Sequence, residues 1–62
     1  MKTDIQKIED IVLDLENEAE SANEHALSTL YRTLAEILVE ELDDTSALKV
    51  MKSIQSRGGF LS

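Results

Sequence analysis

The stretch Ala26–Leu42 reads ALSTLYRTLAEILVEEL, and its periodicity decides the fold. Leu27, Leu30, Tyr31, Leu34, Ile37, Leu38 and Leu42 recur at steps of three and four. On a helix of ~3.6 residues per turn they form one broad apolar stripe, with Ser28, Thr29, Arg32, Glu36 and Glu40 on the other side. A stripe this wide requires more than one neighbouring helix. Glu41 falls within the stripe in angle, so it is an acid at a solvated bundle end or one paired across an interface with Lys49 or Arg57.

Upstream, Thr3-Asp4-Ile5-Gln6 has the form of a capping box, with Asp4 adding negative charge where the helix dipole favours it. Ile5, Ile8, Val12, Leu15, Ala19, Ala22 and Ala26 then follow a heptad seam, large residues first and alanines later. Leu13 lies off this seam and is either exposed or in contact with a partner. Between seam and stripe the apolar phase slips, at Ser21-Ala22-Asn23-Glu24, which has the form of a second capping box. A break near 20–24 gives a helical hairpin. No break gives a rod of about forty residues, roughly 60 Å long. The hairpin is the preferred reading, because a rod could not bury its seam without another chain.

Asp43-Asp44-Thr45-Ser46 is the clearest punctuation, four residues that favour caps and turns. Beyond it Ala47, Val50, Met51 and Ile54 share a face, opposite Lys49, Lys52, Ser53 and Ser56. As core, this helix would pair its cations with the acidic helices. Arg57 suits the negative helix end, and Gly58 can take the left-handed position just past it. Phe60 and Leu61 either fold back onto the helix end or hang free. The expected fold class is all-α, a small helical bundle: a helical hairpin plus a shorter C-terminal helix. Its helices span 4–20, 24–42 and 45–57, within a single domain 1–62 whose tail is 58–62.

Composition agrees with that class. The chain has 62 residues, no Cys, no Pro, two Gly, and Tyr31 and Phe60 as its only aromatics; strands are usually richer in aromatic and β-branched residues. A chain this short leans on disulfides, metals or partner chains, and disulfides are excluded. Leu13, Val39 and Leu48 fall outside the best stripes, so the apolar inventory exceeds the needs of one three-helix unit. A homodimer is therefore expected, with Ile5, Ile8, Val12, Leu15, Leu27, Leu30, Leu34, Ile37 and Leu38 supplying core and self-association.

The formal charge is −7, unevenly spread. All 13 acidic residues lie in 1–44, against Lys2, Lys7 and Arg32, a balance of −10; 45–62 holds Lys49, Lys52 and Arg57 and no acid, a balance of +3. Such an acidic chain is repelled by nucleic acid and by anionic membranes, so neither is an expected partner. Asp10, Asp14 and Glu18 stand on one helical row, and Glu16, Glu20 and Glu24 on another. Like charges at that spacing cost ~0.2–0.5 kcal/mol per pair. They serve either as a solvated face or as a surface aimed at a basic protein, whose encounter they would steer. Repeating carboxylates could also imitate a row of phosphates.

Catalysis has no support. The only histidine, His25, has Ala22 three residues before it, so the Glu-x-x-His pair of di-metal bundles is absent, and His25 reads as a surface or helix-edge residue. Asp43-Asp44 lacks the alternating ligands of a calcium loop. There is no Cys nucleophile, no serine with a readable His–acid set, and no Gly-rich phosphate loop, since Gly58-Gly59 follows a helix. No cofactor or metal is expected, and the chain reads as a non-enzyme. The acidic N-terminus does not resemble a secretory signal, and no apolar run approaches the ~20 residues that cross a bilayer, so a cytoplasmic location is expected. The leading expectation is a small acidic protein-interaction module, a regulator or inhibitor whose target itself binds nucleic acid in one version. The alternatives are an assembly module with no separate target and, more weakly, a carboxylate metal-binding bundle.

Overall fold

In the computed structural model, which describes residues 1–61, α1 spans Asp4–Ser21, α2 His25–Glu41 and α3 Asp44–Ser56, followed by a 3-10 turn over Gly59–Leu61. The capping box at the start of α1 forms as its sequence requires. Thr3 Oγ1 accepts from the Gln6 N–H at 3.2 Å, and Gln6 Oε1 accepts from the Thr3 N–H at 2.9 Å.

The chain breaks between α1 and α2, but not by a second capping box. Asn23 takes the left-handed conformation (φ 60°), the Glu24 N–H reaches back to the Ala19 carbonyl at 2.8 Å, and the Asn23 N–H to Glu20 at 3.1 Å. That pair of bonds is a Schellman closure, with Asn where Gly is more common. Glu24, at the N-cap of α2, makes no side-chain cap. At the next junction Asp43 caps α3: Oδ2 accepts from the Ser46 N–H at 3.4 Å and Oδ1 from the Ser46 hydroxyl at 2.6 Å. The Ser46 hydroxyl, with the backbone N–H groups behind it, holds the Asp43 carboxyl below its ordinary range. Past α3, Gly58 sits at φ 80° with its N–H on the Gln55 carbonyl, as the sequence predicts.

Both later helices lean on α1. Asp4 accepts from the Thr45 hydroxyl (2.9 Å) and Asp14 from the Gln55 amide (3.2 Å); the equal sequence offset means that α3 runs parallel to α1. The short α1–α2 turn makes that pair antiparallel. Because α1 has two neighbours, its buried arc is wider than a two-helix seam: Ile11 joins Ile8, Val12, Leu15 and Ala19 in the core. Ile5 at the open end of the seam is 39% exposed, and Ala22 and Ala26 are exposed.

The stripe of α2 is turned from its expected direction. Ser28, Tyr31 and Ala35 face inward, while Leu30 and Ile37 are 48% and 49% exposed. Leu34 is half-buried, and Leu27, Leu38 and Val39 pack against the edge of the core. As core residues, then, Ile5, Leu30 and Ile37 are corrected. Two features fix the rotation. Ser28 and Ala35 are small enough to let α2 approach α1 beside the bulk of Tyr31, and inward rotation brings Arg32 to the flank that faces α1. Likewise α3 buries Ala47, Leu48 and Met51 and leaves Val50 exposed, so Leu48 belongs to the core and the apolar surplus lies elsewhere.

The C-terminal turn closes the core from above. Tyr31 is fully buried; its hydroxyl accepts from the Phe60 N–H at 2.6 Å, and the Phe60 ring stacks on it at 5.3 Å with the planes 4° apart. Gly59 between them has φ 76°, and a Cβ there would run into the Tyr31 hydroxyl and press on Leu15 at 3.2 Å. Phe60 therefore folds back. Ser62 and the Leu61 side chain, part of the expected tail, lie outside the described residues.

Candidate interaction surfaces

The acidic rows of α1 are less bare than their sequence implies. Asp10 pairs with Lys2, Asp14 accepts from Gln55, Glu16 is half-buried against Arg32, and Glu20 meets His25 Nδ1 at 2.7 Å. Only Glu18 and Glu24 of the six hold no side-chain partner among the described residues. His25 is thus an exposed helix-edge residue beside one carboxylate. The acids remain at the surface, but four of them also hold local structure.

Arg32 is the polar centre of the molecule. Its Nη1 donates to both oxygens of Glu9 (2.6 and 2.9 Å), and its Nη2 to Glu16 Oε1 at 2.7 Å. Glu9 and Glu16 stand seven apart, hence on one face of α1, and a planar guanidinium can span them where an ammonium could not. Hydrogen bonds to Glu9 first and Glu16 second hold Arg32 still further above its already high pKa. The sequence signal was present in the Glu9–Glu16 spacing and the single arginine of α2, but placing Arg32 on the outer side hid it. By contrast Lys49 and Lys52 of α3 and Arg57 at its C-cap make no ion pair among the described residues, contrary to the expected pairing with the acidic helices. Glu41 is exposed and makes no ion pair with Lys49 or Arg57 among the described residues.

Beside Arg32, a groove of about 410 Å³ runs between α1 and α2. Ile5, Ile8, Ala35 and Val39 form its floor; Glu9, Arg32, Glu36 and Glu40 form its rim. The rim carries three carboxylates and one cation, and that cation is already engaged by Glu9 and Glu16. Glu36 and Glu40 are one turn apart on the α2 bank and hold no ion pair among the described residues. Its walls are aliphatic side chains, carboxylates and one guanidinium.

On the far side of α2 lies a surface of a different kind. Ala26, Leu30, Thr33, Leu34 and Ile37 share this side of the helix and none is charged; Glu41 follows on the same side at its C-terminal end. Leu13 on α1, half exposed, is a separate apolar residue. Among the described residues no three His, Cys, Asp or Glu side chains gather where they could hold a metal. Among the described residues no helix is long and apolar enough to cross a membrane. Comparison with protein-family models, with curated proteins and with solved structures finds no match to this chain.

Proposed function

We propose that this chain is a small protein-interaction module, a regulator or inhibitor that acts by binding another protein with a basic surface. The observation that carries the reading is the exposure of Leu30 and Ile37 on a helix whose inner face is already satisfied by smaller residues and Tyr31. Large aliphatic side chains that are not needed inside, grouped on a row that carries no charge before Glu41, favour a protein contact. For two copies carrying −7 each, the stretch of that row from Ala26 to Ile37, ahead of Glu41, is where surfaces meet with the fewest opposing like charges. A symmetric dimer through α2 leaves the acids of α1 and the α1–α2 groove outward, available to a basic partner. Imitation of a phosphate row is not favoured, because Asp10 and Asp14 are engaged by Lys2 and Gln55. A cytoplasmic setting suits a fold that uses no disulfide.

The α2 row also favours the second reading, an assembly module without a separate target. Light scattering across a dilution series separates the possibilities. A dimer mass for the natural chain, reduced to a single-copy mass with unchanged helical circular dichroism in Leu30→Asp/Ile37→Asp, is expected. A single-copy mass for the natural chain at every concentration would remove the dimer. If the double variant still captures a basic target, binding and assembly are distinct; if no target is captured, assembly alone stands.

A further inference from the structure

We propose that the α1–α2 groove is a docking site for a basic amphipathic helix of another protein. The groove has the two properties such a ligand reads. Its floor is wholly aliphatic and reaches solvent, since Ile5 at one end is 39% exposed. Its rim is acidic with no cation to spare, because the one arginine is turned to Glu9 and Glu16.

The banks are matched to helical spacing. Glu36 and Glu40, ~5–6 Å apart on one bank, would face cations one turn apart on an incoming helix, while Glu9 on the opposite bank stays held by Arg32. Between them, aliphatic residues of the ligand at i and i+4 would lie over Ile5, Ile8 and Val39. An anionic ligand is repelled by this rim. A small neutral ligand would find no oriented hydroxyl, amide or aromatic ring to hold it. Charge complementarity therefore selects a ligand with lysine or arginine beside an aliphatic ridge. Within the chain, the outer face of α3 has Lys49 and Lys52 but only Val50 as an exposed aliphatic residue, too short a ridge for the trough.

This inference rests on reading the chain as a protein-interaction module, and its test reports the groove separately from the α2 row. The probe is a fluorescent synthetic peptide of about 18 residues, leucines at i, i+4 and i+7 flanked by lysines, titrated with the full chain and read by anisotropy. Two control peptides change the leucines to serine or the lysines to glutamate. Saturable binding of the parent peptide, weakened at least ~10-fold in both controls, is expected. Glu36→Lys/Glu40→Lys should weaken it at least ~10-fold, and Ile5→Ser, at an exposed position, should weaken it with the helical spectrum intact. Glu18→Lys/Glu24→Lys makes the same change in net charge away from the groove and should stay within about threefold. Equal loss in the two charge variants, equal binding of the serine peptide, or no saturable binding would each overturn the groove. A dimer mass retained in that case would leave the reading of the α2 row standing.

Discussion

The inner face of α2 carries Ser28, Tyr31 and Ala35, whereas its outer face carries Leu30 and Ile37, with Leu34 on the boundary. Leu27, Leu38 and Val39 pack at the edge of the core, so hydrocarbon content alone does not choose this direction for the helix. What holds it is specific fit: a buried phenol that receives the Phe60 N–H, two small residues that admit α1, and Arg32 spanning Glu9 and Glu16. Burial of aliphatic area favours any direction within the wide apolar arc to a similar degree, so directional contacts decide among them.

Tyr31→Ala should break the inner face most severely. A loss of roughly 3–5 kcal/mol is expected for a fully buried aromatic residue. A domain of this size holds only roughly 0.05–0.15 kcal/mol per residue, so the loss is a large share of the whole and the urea midpoint should fall steeply. Leu30→Ala, with more hydrocarbon than Ser28 or Ala35 to lose but on the outer face, should cost under about 1 kcal/mol in dilute solution. Similar midpoints for the two variants would mean that α2 is oriented as its stripe alone implies.

Gly59→Ala probes the same face from the C-terminal turn. It meets both a left-handed φ and the Tyr31 hydroxyl, and a loss of roughly 2–3 kcal/mol is expected by thermal or urea unfolding. The exposed Gly58, also at positive φ, separates the two causes: Gly58→Ala should cost only about 1–2 kcal/mol. Equal losses would show that the contact with Tyr31 contributes little.

The local signals in the sequence were the most legible. The Thr3–Gln6 box, the punctuation at Asp43–Ser46 and the Gly58 terminus each rest on residues within four positions of one another, and each forms, the last helix starting one residue earlier than expected with Asp43 as its cap. The hairpin break was legible as a site but not as a device, since Asn23 in the left-handed conformation, not a second cap, makes it. The direction of α2 was not legible, because its determinants lie far along the chain: Tyr31 to Phe60, and Arg32 to Glu9 and Glu16. The same gap hid Leu48 and Ile11, which fill the angle between α1 and α3 that only a three-helix packing creates. The groove was hidden with them, because placing Arg32 outward left no reason to bring Ile5, Val39 and Glu36 to one trough.

Arg32→Ala sharpens the comparison on its polar side. With more than a third of the side chain exposed, solvent screens the pairs, and a loss of about 0.5–1 kcal/mol is expected, a shift of a few degrees in Tm. The gap between natural chain and variant should narrow as salt is raised toward ~1 M. A gap insensitive to salt would assign the effect of Arg32 to the packing of its stem instead of to its charge.

The smallest effect is expected at Asp43, where inner and outer faces of α2 give way to the cap of α3. Its carboxyl titrates below the ordinary value because the ionised form accepts from the Ser46 hydroxyl and backbone. Since the folded-state pKa is the lower one, the resulting stability is present in full above the unfolded-state value and is lost as pH falls through the folded-state value. Asp43→Asn keeps a capping oxygen but cannot titrate, so its Tm should fall less steeply than that of the natural chain on acidification below the usual carboxylate range. Near neutral pH the variant should be slightly the less stable, because an ionised acceptor is the stronger one beside the positive end of a helix. The difference between the two curves is the informative quantity, since the other carboxylates titrate in both and cancel. Parallel curves would show that the Ser46 contact leaves Asp43 no more acidic in the folded chain than in the unfolded one.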